Sequence, residues 1–193
     1  MSDLLWEPSE KLKTEANLTR FMKWLAARGH AFATYEELRQ WSVTDIEGFW
    51  QAVWDYFEVK SDAPHECVLR GGQMPDSQWF CGARVNYIEH ILSKGDGRKI
   101  AVHAVGETGP VSTLSWSELK ARVFKLATRM RELGIRPGDR VASYLPNIPE
   151  AVIAFFASAS IGAVWSSCSP DFGSASVIDR FSQITPKLLF TVN

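Results

Sequence analysis

Between Ser166 and Gly173 the chain reads SSCSPDFG, a run of hydroxyls and a thiol that closes on an acid and a glycine. It follows the apolar Ala163, Val164 and Trp165, and Asp171 is the first charged residue after Glu150. Such groups suit holding a ligand. In an open parallel sheet, ligands sit beyond the carboxyl ends of the strands, where apolar runs give way to small polar residues. Asp171 would orient a ligand there, or support the N-terminus of the next helix. Gly173 would admit a close approach to the backbone, or serve as a turn glycine. Pro146, Asn147, Ile148 and Pro149 form a second loop at an equivalent position. No nucleophile–base pair is evident, and neither GxGxxG nor GxxxxGK[ST] occurs, so both common phosphate loops are missing from these residues.

Other reactive residues are scattered. Cys67, Cys81 and Cys168 are odd in number and form no CxxC pair, which fits reduced thiols in a cytoplasmic protein. His30, His65, His90 and His103 show no metal-ligand spacing, and no metal site is expected. With 46% hydrophobic and 22% charged residues over 193 positions, the chain suits one ordinary domain or two small ones. A net charge of −1 with dispersed Lys and Arg argues against nucleic acid as a partner. Eight Trp and eleven Phe, many at helical spacing, read as core rather than as a base-stacking platform. No secretory signal is visible in MSDLLWEPSE. The uncharged residues 151–170 are long enough to span a bilayer, but five serines, Gly162 and Pro170 favour a buried helix and strand, with no membrane partner.

The elements that must position the loop follow from periodicity. Leu18, Phe21, Met22 and Leu25 make one helical face, with Asn17 as its N-cap and Gly29 at its end. Thr34 with Glu37, and Thr44 with Glu47, read as capping boxes for two further helices. Residues 58–82 have no period and read as an ordered crossing loop anchored by Trp79 and Phe80. Residues 86–92 suggest a short helix, and the polar 93–98 a seam. From Lys99 the pattern becomes α/β: strands at 100–105, 111–114, 140–145, 163–167 and 187–192 interleave with helices beginning near Ser115, Pro149 and Ser174. The predicted fold class is therefore α/β, a helical N-terminal lead packed on a parallel-sheet βαβ subdomain.

Beyond this point the chain resembles a known family. PNIPEAVIAFFASASIGAVWSSCSPDFG and DRFSQITPKLLF look like the early part of the adenylate-forming acyl-CoA synthetases. With LWEPS, NLTRFMKWL, YEELRQWSV, FWQAVWDYF and MPDSQWFCGARVNY, in order, they resemble the acetoacetate–CoA ligase branch over nearly the whole chain. Cys81, Ile88 and His90 stand where Pro, Ala and Asn are common in that branch. The resemblance implies residues 1–98 as a helical cap region of acetyl-CoA-synthetase type. Residues 99–193 would be the truncated first α/β subdomain of the AMP-binding domain.

It also implies ATP, Mg²⁺ and coenzyme A as cofactors and acetoacetate as the small-molecule substrate, with no catalytic residue in this chain. The phosphate loop, the acid for Mg²⁺, the ribose-holding Asp and the catalytic Lys are expected downstream of Asn193. Ser169, Pro170, Asp171, Phe172 and Gly173 would line the coenzyme A approach. The chain alone would be inactive. Residues 187–192 would form an exposed sheet edge that pairs with the rest of the polypeptide and favours self-association. The competing readings are an acetyl- or propionyl-CoA synthetase and a non-catalytic interaction module.

Overall fold

A computed structural model describes residues 5–72, 74–106 and 109–192. The chain divides into two compact units, Met1–Arg84 and Val85–Asn193.

In the first unit, α1 (Glu10–Glu15) leads into α2 (Asn17–Ala26), α3 (Tyr35–Thr44) and α4 (Ile46–Tyr56). Phe21, Leu25 and Leu38 are buried, with Phe32, Trp41, Phe49 and Val53 packed around them. Thr34 caps α3 by accepting from the Glu37 amide, as its position predicts. The cap of α4 is Asp45 rather than Thr44, which is the last residue of α3; the Asp45 carboxylate accepts from the Gly48 amide. Asn17 is likewise already helical, and Ala16 stands at the N-cap of α2 without a side-chain bond. Both differences arise because the preceding helix runs closer to the cap than the sequence pattern suggests.

Residues 58–82 are not simply a crossing loop. They hold an antiparallel pair, β1 (Cys67–Arg70) and β2 (Gln78–Cys81), with Cys67 opposite Cys81 and Leu69 opposite Trp79. Four-residue strands carry little alternation, and Phe80 has φ of +46°, which breaks the period of two. The two aromatic anchors are present. Phe80 stacks on Trp54 at 4.4 Å between ring centroids, and Trp79 meets Trp50 edge-on at 5.8 Å.

The second unit is α/β. Asn86 caps α5 (Tyr87–Lys94) through the amides of Ile88 and Glu89, and its own Nδ2 donates to the Ala159 carbonyl. One asparagine thus starts a helix and fastens it to the backbone at Ala159. β3 (Ile100–Ala104) and β4 (Ser112–Ser115) pair antiparallel; residues 107 and 108 between them lie outside the described residues. Ser115 and Glu118 close a reciprocal capping box on α6 (Trp116–Glu132).

Then follow β5 (Arg140–Tyr144), α7 (Pro149–Ser160), β6 (Val164–Cys168), α8 (Ser174–Ile184) and β7 (Leu188–Thr191). The strands form a parallel sheet in the order β6-β5-β7. Its centre, β5, buries Val141, Ala142 and Ser143 in a row, as a strand covered on both faces must. Val141 packs with Leu119, Val123, Met130, Ile153 and Ala157 of α6 and α7. Ala142 packs with Val177 and Phe181 of α8. Fully burying one such aliphatic side chain is worth about 1.5–3 kcal/mol, so these layers hold the carboxyl ends of β5 and β6 in place.

Candidate functional site

A crevice of about 420 Å³ opens at the carboxyl ends of β5 and β6. Its wall comes from the residues after β5 (Leu145, Pro146 and Asn147), from Val152 and Phe155 of α7, and from Trp165, Ser167, Ser169 and Pro170 around the end of β6. The alternation of a strand explains which residues reach it. Ser143 and Ser167 are opposite in register, on the side of the sheet that carries Val141 and Trp165 toward α7. Pro149 opens α7 at its first turn, where the missing amide costs nothing, and so turns the chain sharply out of the crevice wall.

The SPDFG loop is held from within. Ser169 Oγ donates to Asp171 Oδ2 at 2.7 Å. The Tyr144 hydroxyl lies 3.0 Å from the Pro170 carbonyl and 2.8 Å from the Phe172 carbonyl. Arg180 of α8 sits over the Phe172 ring, 4.4 Å from its centroid. Ser169 and Pro170 line the crevice, whereas Asp171, Phe172 and Gly173 carry the loop from it to α8. Gly173 is the N-cap of α8 with an ordinary φ of −62°, and a Cβ built there meets open space. α8 has no side-chain cap, and the Asp171 carboxylate is engaged by Ser169.

The lining defines what the crevice can do. Hydroxyls, one carboxamide and aromatic walls hold a neutral chain by hydrogen bonds and apolar contact. Among the described residues no carboxylate, imidazole, amine or guanidinium lines it, and Cys168 adds a thiol at the end of β6. Among the described residues no group of three His, Cys, Asp or Glu could hold a metal ion. Periodicity alone could have found Ser143 and Trp165. Phe155 carried no signal, since the stretch from Ala151 to Ala157 is apolar on every side of α7. The helical unit has its own apolar cleft of about 490 Å³ between α2, α3 and α4, where Arg39 in the lining is tied to Glu36.

Residues 92–193 match the family described as AMP-binding enzyme. The chain belongs to that family. Residues 35–91 match the acetyl-coenzyme A synthetase N-terminus, so the division between the two matches falls inside α5. The chain is similar to the acetoacetyl-coenzyme A synthetase of Rhizobium meliloti (strain 1021), 40% identical over 95% of this chain and 28% of the relative. It is 42% identical to the acetoacetyl-CoA synthetase of Gallus gallus over 99% of this chain and 29% of the relative. Among solved structures, the acetoacetyl-CoA synthetase from Streptomyces lividans superposes with a TM-score of 0.91 at 44% identity, covering 98% of this chain and 30% of that one. The chain thus spans under a third of the length of the relatives it matches. No helix among the described residues is long and apolar enough to cross a membrane.

Proposed function

We propose that this chain is the front part of a ligase that activates acetoacetate with ATP and transfers the acyl group to coenzyme A. The observation that carries this reading is the likeness, at a TM-score of 0.91 and 44% identity over 98% of the chain, to an acetoacetyl-CoA synthetase. In the first step a carboxylate oxygen attacks the α-phosphorus of ATP, giving acetoacetyl-adenylate and pyrophosphate. In the second the coenzyme A thiol displaces AMP to give acetoacetyl-CoA. A carboxylate repels nucleophiles, and the mixed anhydride removes that charge while supplying a good leaving group.

The crevice chemistry fits one portion of these ligands. The neutral amide-bearing arm of coenzyme A suits hydroxyls, a carboxamide and apolar walls, so Ser169 to Gly173, with Ser167 and Asn147, would flank its approach. ATP phosphates and Mg²⁺ find no counterpart there, and groups elsewhere in the polypeptide would hold them. Residues 1–98 would act as the cap and 99–193 as the first α/β portion of the AMP-binding domain. β7 stands at one end of the sheet, and we assign its free side to further strands of the same polypeptide, or to self-association in the isolated chain. Three free cysteines suit a reducing, cytoplasmic compartment.

The test joins this chain to the remaining portion found in its relatives and measures acetoacetyl-CoA and AMP formed from acetoacetate, ATP, Mg²⁺ and coenzyme A. Equimolar thioester and AMP are expected, and none from the chain alone. Thioester formed with acetate or propionate but not acetoacetate would move the protein to another branch. Absence of turnover with all three acids would leave a non-catalytic interaction module.

A further inference from the structure

We infer that Cys67 and Cys81 form a reversible disulfide across the β1–β2 hairpin, an oxidative modification site on the helical unit. The two residues are directly opposite in an antiparallel register. Such pairs hold their Cα atoms about 4.5–5.5 Å apart, inside the ~4.4–6.8 Å that a disulfide spans. Both thiols are free; Cys81 is buried and Cys67 is partly exposed, so Cys67 is the one an oxidant reaches first. The neighbouring Cys67 thiol and burial push the Cys81 thiol up, while the Arg70 guanidinium favours its thiolate. That guanidinium feels both sulfurs and is itself held at the strand's end by Glu66, 3.0 Å away.

The oxidant is a low-molecular-weight disulfide. The Cys67 thiolate attacks one of its sulfurs, its S–S bond breaks, and one small thiolate leaves, giving a mixed disulfide at Cys67. The Cys81 thiolate then attacks Cys67 Sγ and expels the second small thiolate. The two protons lost by the cysteines end on the two released thiols, and two electrons pass from the hairpin to the oxidant. Holding the second sulfur in place converts that step into an intramolecular one, which offsets its low thiolate fraction. In a reducing compartment such a bond is transient and responsive, as intracellular disulfides generally are.

The experiment exposes the folded full chain to graded ratios of oxidised to reduced glutathione, quenches with acid, alkylates and maps tryptic peptides. Cleavage after Lys60, Arg70 and Arg84 places Cys67 in residues 61–70 and Cys81 in residues 71–84. The expected product links these two peptides, loses two of the three thiols, retains no glutathione and reverts on reduction. Cys81→Ala is expected to stall with glutathione on Cys67. A stable mixed disulfide in the unsubstituted chain, three intact thiols in an oxidising ratio, or links between separate chains would each overturn the proposal.

Discussion

The Tyr144 hydroxyl lies 2.8 Å from the Phe172 carbonyl, so the last residue of the central strand ties down a loop that begins one strand away. With Pro170 also in reach, one phenol spans the turn through which the chain leaves the crevice. Tyr144→Phe keeps the ring against the α8 layer and removes only this tie. We expect a loss of about 1 kcal/mol in denaturant unfolding, with faster amide exchange at residues 171–174 than elsewhere in the unit. Unchanged exchange there would show that the loop is held by Ser169 and Asp171 instead.

Gly162 ends α7 with φ of +76°, and the Gly138 amide donates to its carbonyl at 2.8 Å. A Cβ there would stand 3.1 Å from Pro137 Cβ. Gly162→Ala therefore meets both a left-handed backbone and a crowded neighbour. A destabilisation of about 1–2 kcal/mol is expected from the backbone alone, read as a lower denaturant midpoint with an unchanged slope.

Asp139 links the start of β5 to the start of β7. Its carboxylate meets Lys187 Nζ at 2.6 Å and accepts from the Arg136 amide. The hydrogen bond from Lys187, then that from the Arg136 backbone, holds the carboxyl below its ordinary value of 3.8. The unfolded chain therefore takes up this proton first as pH falls. The stabilisation is fully present above about pH 4 and is lost as acid carries the solution from 3.8 down through the lower folded value. Comparing the unfolding midpoints of Asp139→Asn and the parent between pH 6 and pH 2.5, we expect the gap to narrow with acid. A constant gap would mean that this carboxylate does not titrate with folding.

Ser167 lies on the crevice wall at the edge of the sheet, where a larger side chain has room to point into the open space. In the joined polypeptide, Ser167→Phe is expected to raise KM for coenzyme A at least tenfold. Acetoacetate-dependent pyrophosphate exchange should stay within about twofold, because the first half-reaction does not use that arm. Equal losses in both would place the crevice elsewhere in the cycle.

Much of this architecture could be read from local chemistry. The box at Ser115 and Glu118, the Pro149 start and the apolar run before Ser166 each mark an element that the fold contains, because each signal lies within one turn or strand of its effect. What failed was equally physical. Thr44 and Asp45 both suit a cap, and only the length of α3 decides between them. The β1–β2 pair is too short and too irregular at Phe80 to show alternation. The crevice loops were legible because the carboxyl ends of parallel strands are a general ligand position. The Tyr144 tie was not, since its partners are backbone carbonyls 26 and 28 residues away, which no side-chain pattern records.

Acetoacetate-dependent exchange of labelled pyrophosphate into ATP tests the central claim most directly, using the polypeptide that joins this chain to the remainder found in its relatives. Formation of the acyl-adenylate is the only step this assay needs. Exchange with acetoacetate at least tenfold above that with acetate or propionate is the predicted result. Exchange driven by acetate or propionate and not by acetoacetate, or none with any of the three acids, would contradict it.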